Sequence, residues 1–458
     1  MGNNSIQVKM SSKKEFSILF ITLGLSSLGL AAFIGVLSSI VYIYPDFLKN
    51  IIPFNQLRPI HTTSAISWII LTATGGIYYY ITKIEKVKLR YPYLEKIHLI
   101  LFLITGIAIY YSYITGIMGG REYLEYYPAL TIPILIGWLL FGVNYFSSML
   151  KQVEKWPVYF WMWGTGIVFM TYHLSEAHFW IFSNIRNDFI KDISIQWKSY
   201  GSFVGSWNLL VYGTAIYLMA KIKGDDNIGR GKESFFFYFL GLTNLMFGWA
   251  HHTYIIPTQP WIRYIAYAVS MTEWIIFIHI VYNWKKSLSK EKIKTNQMAY
   301  RFLIASDFWV FFNLTLALLM SIPTLNYFMH GTHITVAHSM GTTIGINTSI
   351  LLASVSYIIS DLKKNNKLNN NKFIIAGYYS FNSILLLFLV VLISGGVFKS
   401  IWMNNNLDTT FGALQEDSSP IFIAFIATGL ALFISIILII IPMIKQLLIL
   451  KSSNKKEV

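Results

Sequence analysis

Long apolar runs, separated by short polar segments, recur along the whole chain. A helix that spans a bilayer needs about 20 apolar residues, because lipid offers no partner to exposed backbone N–H and C=O groups. The pattern therefore predicts an all-α, polytopic membrane protein with about 12 transmembrane helices. The first run exceeds the ~7–15 residues of a signal-peptide core, so we interpret it as a retained span. We predict the spans at residues 16–44, 62–82, 95–118, 128–149, 156–182, 199–221, 235–257, 261–284, 299–322, 332–360, 373–398 and 420–448.

Lysine and arginine are concentrated in the loops that follow the even-numbered spans. The loops after odd-numbered spans contain few lysines and are partly acidic, as at 121–125 and 408–417. The positive-inside rule then places both termini in the cytoplasm. We expect a multi-pass protein of a bacterial-type cytoplasmic (inner) membrane. The basic loops lie at 83–90, 221–232, 285–294 and 363–372.

Composition supports the membrane assignment and restricts the chemistry. Of the 458 residues, 55% are hydrophobic and 12% are charged, whereas a soluble domain has roughly 25% charged residues. We therefore expect residues 1–458 to form one transmembrane domain that contacts membrane lipid and has no water-soluble part. The basic loops explain the net charge of +15, so we expect no nucleic-acid partner. The chain has no cysteine, which excludes disulfides, iron–sulfur clusters, thiolate copper sites and covalent haem attachment.

Four of the ten histidines are predicted to lie at similar depths near the outer face. His61 stands at the outer start of span two, and His338 lies about two turns inside span ten. His251 and His252 lie near the outer end of span seven, which runs in the other direction. Polar groups inside membranes are costly and usually functional. Convergence from three spans therefore predicts a shared metal or haem site.

The spacing of these residues leaves several arrangements open. His251 and His252 diverge by about 100° on a helix, so they could bracket one metal or serve as one ligand and one packed side chain. Imidazole suits iron, copper and zinc alike, so the pair does not identify the metal. His338 and Met340 point roughly 200° apart, so one helix could ligate a haem on each flank. Alternatively, Met340 fills space in the core, as methionine commonly does.

Six segments of the sequence match a known family. On these segments the chain resembles subunit I of the haem-copper oxidase superfamily and, within it, the large subunit of nitric oxide reductase. The segments follow the family's order along nearly the whole chain, which implies the family's fold of twelve helices. They are Arg58–Thr63 (RPIHTT), Gly119–Glu125 (GGREYLE), Gly205–Asn208 (GSWN), Trp249–His252 (WAHH), Ser270–Glu273 (SMTE) and Asn326–Met340.

The resemblance implies a role for each matching residue. His61 would be an axial ligand of a low-spin, electron-accepting haem, and His338 would be the proximal ligand of a high-spin haem open to substrate. His251 and His252 would bind a non-haem metal, iron or copper, that faces the open iron. Glu273 would be the buried carboxylate that reductases place near this metal. The implied cofactors are two b-type haems and the non-haem metal.

Other positions match more weakly or depart from the family's pattern. Glu122 resembles a glutamate linked to calcium or to a haem propionate. Met340 stands where the family has a second histidine, and a His/Met-ligated haem has a raised reduction potential. Tyr200 stands where the family supplies a third histidine to the non-haem metal, and Val204 replaces a carboxylate. Tyr200 could ligate the metal, hydrogen-bond to substrate, or only pack.

Two further observations bear on the ligands and the substrate. His173, Glu176 and His178, at the end of span five, could reach the metal or lie at the membrane interface. Oxygen-reducing relatives carry a tyrosine cross-linked to a metal-binding histidine. This sequence has no such pairing, and the corresponding position on span seven is Leu245. The difference favours nitric oxide over oxygen as the substrate.

We therefore expect a respiratory enzyme that reduces nitric oxide to nitrous oxide, with Glu273 assisting proton delivery. Because the chain lacks cysteine and a soluble domain, a separate cytochrome c-type subunit or a quinol must donate the electrons. Three alternatives stay open. One is a terminal oxidase that reduces oxygen to water. Another is a non-catalytic haem electron conduit or gas sensor, which Tyr200 and Val204 support. The third is a haem-free transporter, which predicts paired repeats and ligand groups at the bilayer midplane.

Overall fold

A computed structural model describes residues 16–270, 285–286, 294–363, 368–405 and 410–456. Over these residues the chain is helical with no strand, apart from one isolated bridge between Met118 and Tyr126. The predicted all-α class is thus confirmed. Short helices at Ser183–Arg186, Pro323–Met329 and Phe411–Asp417 lie in connections. The long helices are α1 (Phe16–Ile40), α2 (Phe54–Tyr79), α3 (Pro92–Ile114), α4 (Thr131–Met149), α5 (Val158–Glu176), α6 (Phe189–Lys223), α7 (Lys232–Phe247), α8 (Pro260–Ser270), α9 (Gln297–Ser321), α10 (His333–Lys363), α11 (Lys372–Asn405) and α12 (Ser419–Lys456).

Eight of the described helices are long and apolar enough to cross a membrane, so this is a multi-pass membrane protein. They are α1, α3, α4, α6, α9, α10, α11 and α12. Helix α2 is less apolar because it lies inside the bundle, where Ser64, Thr72 and Thr74 are buried against neighbouring helices. Helix α8 ends where the undescribed residues 271–284 begin. The total of twelve spans therefore stays a prediction.

Helices that follow one another in sequence pack together in the bundle. Helix α1 packs on α2, α5 on α6, and α11 on α12, while α12 also returns to α1. The core contains large aromatic side chains, and Trp68, Trp138, Trp163 and Trp309 are fully buried. Such side chains bury a large apolar area each and fix the spacing between helices.

Contacts near the ends of the helices define two ends of the bundle. At one end Lys221 Nζ lies 2.9 Å from Glu85 Oε1, and Tyr79 donates a 2.6 Å hydrogen bond to Asp361. Helices α2, α6 and α10 all terminate there, and we call it the basic end because the basic segments 83–90 and 221–232 lie there together with Lys363. At the opposite end Arg121 pairs with Asp192 at 2.5 Å. This placement agrees with the charge alternation, while the end that faces the cytoplasm stays a prediction.

Two helices depart from regular α geometry beside the predicted metal ligands. Span seven was predicted as one helix over 235–257, but α7 ends at Phe247 and continues as a 3₁₀ turn, Gly248–Thr253. Helix α10 is α-helical over His333–Met340 and then π-helical over Gly341–Thr348. Short π and 3₁₀ segments inside helices often mark functional sites, because they change which direction a side chain points.

Candidate functional site

The predicted ligands line one cavity of about 630 Å³ in the middle of the bundle. His61 on α2 and His338 on α10 line it, together with His251 and His252 of the 3₁₀ turn. Met340 also lines it. The rest of its wall is largely apolar, which is typical of a site for a large apolar cofactor or ligand. The structure thus brings together the four histidines that the sequence singled out.

Three of these imidazoles lie close together. The ring centroids of His251 and His252 are 4.2 Å apart, and those of His251 and His338 are 6.0 Å apart. Both ring nitrogens of His251 are buried without a hydrogen-bond partner, as is Nδ1 of His252 and of His338. Buried polar atoms are rarely left unpaired, because desolvation costs about 1–3 kcal/mol each. Unpaired neutral imidazole nitrogens fit a metal or haem iron, and this is the observation that supports the predicted cofactors.

The spacing of the same rings limits how a haem can bind. A haem plane on His338 that faced His251 would need more room than a 6.0 Å separation of ring centroids allows. A haem bound in that arrangement would need the two imidazoles to be further apart than this. Among the described residues, no three histidine or carboxylate side chains already converge as a metal site. The donor types fit the predicted cofactors, and the final coordination geometry forms with binding.

Helix α6 and the α9–α10 connection hold the 3₁₀ turn in place. A Cβ atom on Gly201 would collide with Cβ of Trp249, so only glycine allows α6 this close to the turn. Trp197 stacks on the His252 ring at 4.9 Å with an interplanar angle of 10°. From the other side, Asn326 Nδ2 donates a 2.9 Å hydrogen bond to the carbonyl oxygen of His251. These contacts orient both histidines at the cavity wall.

His61 is oriented by helix α1. Its Nδ1 atom lies 2.7 Å from the carbonyl oxygen of Ala31. The ring also packs against Gly35, where a Cβ atom would stand 2.8 Å from Cε1. A hydrogen bond from Nδ1 to a carbonyl leaves Nε2 with its lone pair, which is the form that ligates iron. The geometry supports the ligand role that the resemblance implies for His61.

Tyr200 lies on α6 at the cavity wall, together with Val204. Its ring meets the Tyr123 ring edge-on at 6.0 Å. Its hydroxyl is buried without a hydrogen-bond partner. A tyrosine that only packed would carry the cost of this unpaired hydroxyl. The burial therefore favours the two alternatives in which the hydroxyl meets a metal or a substrate.

A charged cluster lies at the opposite end of the bundle, and its members Arg58 and Tyr123 line the cavity. Arg58 bonds to Glu122, lies 3.6 Å from Glu125 Oε1, and places its guanidinium 5.5 Å from the Tyr123 ring centroid. Both carboxylate oxygens of Glu125 are buried without hydrogen bonds. Burial raises the pKa of Glu125, although Arg58 opposes the shift. Glu125 was not among the predicted site residues; its place in the matching segment, three residues after Glu122, was the available signal.

The histidines at the end of α5 lie elsewhere and have their own partners. His173 Nδ1 is 2.9 Å from Glu176 Oε2, and Lys198 Nζ is 2.6 Å from the same oxygen. His178 Nε2 is 2.8 Å from the Thr131 hydroxyl. None of these side chains lines the cavity. The structure therefore does not bring them to His251 and His252, and the hypothesis that they supply metal ligands loses its support.

Glu273 lies outside the described residues. Helix α8 ends at Ser270, which lines the cavity, so the chain leaves the described part at the cavity wall. Leu245 stands at the span-seven position that was compared with the cross-linked tyrosine of oxygen-reducing relatives. It packs on α6, where its carbonyl oxygen accepts a 2.7 Å hydrogen bond from Ser202.

Comparisons with known proteins identify the class. Residues 15–448 match the family model for cytochrome c and quinol oxidase polypeptide I, so this chain belongs to that family. A nitric oxide reductase subunit from Stutzerimonas stutzeri is 23% identical over 349 residues, which cover 72% of this chain and 72% of that protein. A cryo-EM structure of a haem-copper terminal oxidase dimer has a TM-score of 0.75 and 14% identity. The match covers 94% of this chain and 84% of that one.

These findings confirm the resemblance stated from the sequence. The chain is an oxidoreductase of the haem-copper oxidase superfamily, and its fold is the membrane fold of an oxidase. Members of the family carry haems and a non-haem metal site. They act in membranes and generally receive electrons from cytochrome c or quinol.

Proposed function

We propose that this chain is the catalytic subunit of a respiratory enzyme that reduces nitric oxide to nitrous oxide. The balanced reaction is 2 NO + 2 e⁻ + 2 H⁺ → N₂O + H₂O. The observation that carries the proposal is the meeting of His251, His252 and His338 in one cavity with unpaired, buried ring nitrogens. Similarity to a nitric oxide reductase and the leucine at position 245 favour nitric oxide.

The ligand assignments in this proposal are those that the family resemblance implies, and all five side chains line the cavity. His61 and Met340 would hold a low-spin b-type haem, and His338 a high-spin b-type haem. His251 and His252 would hold the non-haem iron or copper. When bound, the high-spin haem and this metal supply the electrons and the binding positions for two molecules of gas.

Acidic and phenolic side chains would serve the proposed reaction in other ways. Glu273 would deliver protons, and Glu122, paired with Arg58, would hold calcium or be linked to a haem propionate. The buried hydroxyl of Tyr200 would ligate the metal or donate a hydrogen bond to bound gas. Glu125 would be a second proton-carrying group, since burial raises the pKa of its carboxyl.

The proposal extends to the protein's surroundings. We place the chain as one domain, residues 1–458, with twelve spans in a bacterial-type cytoplasmic membrane. Both termini would face the cytoplasm. Without cysteine it has no covalently attached haem of its own, so a cytochrome c-type subunit or a quinol would donate electrons.

Oxygen reduction is the second candidate, because the matching family model is that of cytochrome c and quinol oxidases. The balanced reaction is O₂ + 4 e⁻ + 4 H⁺ → 2 H₂O. A non-catalytic conduit or gas sensor is the third, and it rests on Tyr200 and Val204 in place of the family's ligands. The haem-free transporter is set aside, since the chain belongs to an oxidase family.

Absorption spectra test these candidates. The purified complex is reduced with and without carbon monoxide, haem is quantified per chain, and consumption of nitric oxide and of oxygen is then measured. We expect two haems, one of which binds carbon monoxide, and faster turnover of nitric oxide. Two haems of which neither binds carbon monoxide would favour the non-catalytic electron conduit. Faster oxygen turnover would favour the oxidase, and a haem-free protein would overturn the proposal.

A further inference from the structure

His330 is a half-buried histidine in the connection between α9 and α10, and it has no part in the ligand set described above. Its ring centroid lies 6.0 Å from that of His252 and 6.0 Å from that of Trp197. Its Nε2 atom is buried without a hydrogen-bond partner among the described residues. Buried polar atoms are normally paired, because an unpaired one is costly, so this nitrogen points to a bound group.

The connection that carries His330 is fastened to the 3₁₀ turn by Asn326, which lies on the short helix Pro323–Met329. Asn326 Nδ2 donates a 2.9 Å hydrogen bond to the carbonyl oxygen of His251. The carbonyl oxygen of Asn326 accepts a 2.8 Å hydrogen bond from the backbone N–H of His330. One buried asparagine therefore joins the two segments that carry these histidines and limits how far apart they can move.

Gly331 turns the chain directly after His330. Its φ of +74° lies in the left-handed region, which favours glycine. Its carbonyl oxygen accepts a 3.0 Å hydrogen bond from Lys399 Nζ on α11. Thr332 then caps α10, since its side chain accepts a hydrogen bond from the backbone N–H of Ile334. These contacts hold the connection in place between the 3₁₀ turn and the first residue of α10.

The two histidines of the 3₁₀ turn are few ligands for a catalytic metal. Catalytic sites of zinc, for example, usually have three protein ligands and one open position. The resemblance to the family assigns one further imidazole to α6, where this chain has Tyr200. His330 supplies an imidazole of the same type from a different element, and imidazole suits iron and copper alike.

The spacing of the rings suits a shared metal. Imidazole nitrogens bind such metals at about 2.0–2.1 Å, which places the centroids of neighbouring ligand rings about 5 Å apart. The observed separations are 4.2 Å for His251 and His252 and 6.0 Å for His252 and His330. Each pair is therefore within about 1 Å of the required spacing. A small movement of the rings on binding brings them to it.

We propose that His330 is an additional imidazole ligand of the non-haem metal and replaces the histidine that α6 lacks. The inference rests on the proposed function, because it assumes the metal at His251 and His252. His252 and Trp197 line the cavity and His330 does not, so His330 would bind the metal from behind the cavity wall. The cavity side of the metal stays open to gas, and the Tyr200 hydroxyl keeps the role of hydrogen-bond donor to that gas.

Counting the imidazole rings around the metal tests this ligand set directly. Zinc alone serves as the probe, because imidazole binds it as it binds iron and its X-ray absorption edge is separate from that of haem iron. The full-length complex is depleted of non-haem metal with a chelator and reloaded with one zinc per chain. We expect the zinc-edge spectrum to show three imidazoles in the wild type and two in His330→Ala.

The wild-type count does not depend on the folding of any variant. Two imidazoles in the wild type, or equal counts in the wild type and His330→Ala, would overturn this inference and leave the proposed function standing. A wild-type protein that holds no non-haem metal as isolated, and no zinc after reloading, would overturn both.

Retention of the native metal provides a second measurement. His330→Ala should release it at a chelator concentration at least about tenfold lower than the wild type, since even groups that only support a metal ligand contribute ~10–100-fold to affinity. His333→Ala is the matched control. His333 is also half-buried with an unpaired Nδ1 atom, but its ring packs on Phe422 at 5.7 Å and does not line the cavity. Haem spectra confirm that both variants are folded. Release at the same chelator concentration in both variants would overturn the assignment.

A double variant separates the loss of a ligand from a displacement of the 3₁₀ turn. Tyr200→His in the His330→Ala background places an imidazole at the position on α6 where the family supplies one. If His330 is a ligand, the new histidine should restore both the retention of metal and the third imidazole in the zinc-edge spectrum. A double variant that still lost its metal as readily as His330→Ala would show that His330 supports the turn and does not bind the metal.

Discussion

His61 Nδ1 lies 2.7 Å from the carbonyl oxygen of Ala31, so helix α1 determines which ring nitrogen of His61 is available to the cavity. The contact joins residues that are 30 positions apart. It leaves Nε2 unprotonated, as ligation of iron requires. The role of His61 therefore depends on how α1 packs against α2.

His61→Ala should remove the low-spin haem. Its iron would lose one of the two axial ligands that hold it and keep it low-spin. We expect haem per chain to fall from two to one and the low-spin absorption bands to disappear. His98→Phe is the control, since His98 is fully buried among aromatic rings and does not line the cavity. A low-spin spectrum that survived in the His61→Ala protein would contradict the assignment.

Met340→His should lower the midpoint potential of the low-spin haem. Thioether ligation raises haem potential relative to two imidazoles, within the roughly 0.8 V range that axial ligands span. Spectroelectrochemical titration measures the change. Met340→Leu should convert the same haem to high spin, because leucine offers no ligand. If both variants kept the wild-type potential and spectrum, Met340 would be a packing residue.

Tyr200→His should increase retention of the non-haem metal, because it adds a third imidazole beside His251 and His252. Metal per chain is measured by mass spectrometry after dialysis against a chelator. Tyr200→Phe separates the roles of the hydroxyl: loss of metal indicates ligation, whereas retained metal with slower turnover indicates a hydrogen bond to substrate. If Tyr200→Phe kept the wild-type metal content and turnover, packing would be the remaining role for Tyr200.

Gly201→Ala should destabilise the protein by about 1–3 kcal/mol, the usual cost of overpacking, because its methyl group would collide with Trp249. The 3₁₀ turn that carries His251 and His252 would shift, so metal content should fall as well. Gly106→Ala is the control, because a Cβ there meets nothing within 4 Å. It should be neutral or stabilising by up to about 1 kcal/mol. Thermal unfolding in detergent compares the two variants, and equal midpoints would refute the steric argument.

The stabilising contribution of protonated Glu125 to the free energy of unfolding should decrease as pH rises. Burial raises the pKa of Glu125 in the folded protein above its unfolded value, so the folded state binds this proton more tightly. Its contribution is complete below the unfolded pKa and is lost as pH rises through the folded pKa. Unfolding midpoints of Glu125→Gln should therefore fall less over this window than those of the wild type.

Asp188 provides a comparison of opposite sign. Hydrogen bonds from Lys191 lower the pKa of the Asp188 carboxyl, so its contribution is lost as pH falls through the folded value. Asp188→Asn should change the pH profile only on the acid side. A Glu125→Gln profile parallel to that of the wild type would show that Glu125 does not titrate differently on unfolding.

Much of the architecture and several site residues were predictable from the sequence. Apolar runs predict membrane helices because lipid leaves backbone groups no other partner. Histidines in such runs are conspicuous because their burial is costly, and His61, His251, His252 and His338 do line one cavity. Met340 and Tyr200 could be recognised from the sequence as departures from the family's histidine ligands. Their roles depend on which groups their side chains contact in the folded protein.

The tertiary structure decided which residues of different helices contact one another. The pattern of apolar residues does not specify which helix faces align, so it could not show the contact of His61 with Ala31 or of Arg58 with Glu125. The 3₁₀ turn after Phe247 was missed, and its packing against Gly201 involves another helix that the local sequence does not reveal. The sequence by itself determined the class of protein and its candidate ligands, since those follow from transfer to lipid and from side-chain chemistry. Packing alone decided which groups are oriented, paired or left unpaired, because these properties arise from contacts between residues far apart in the chain.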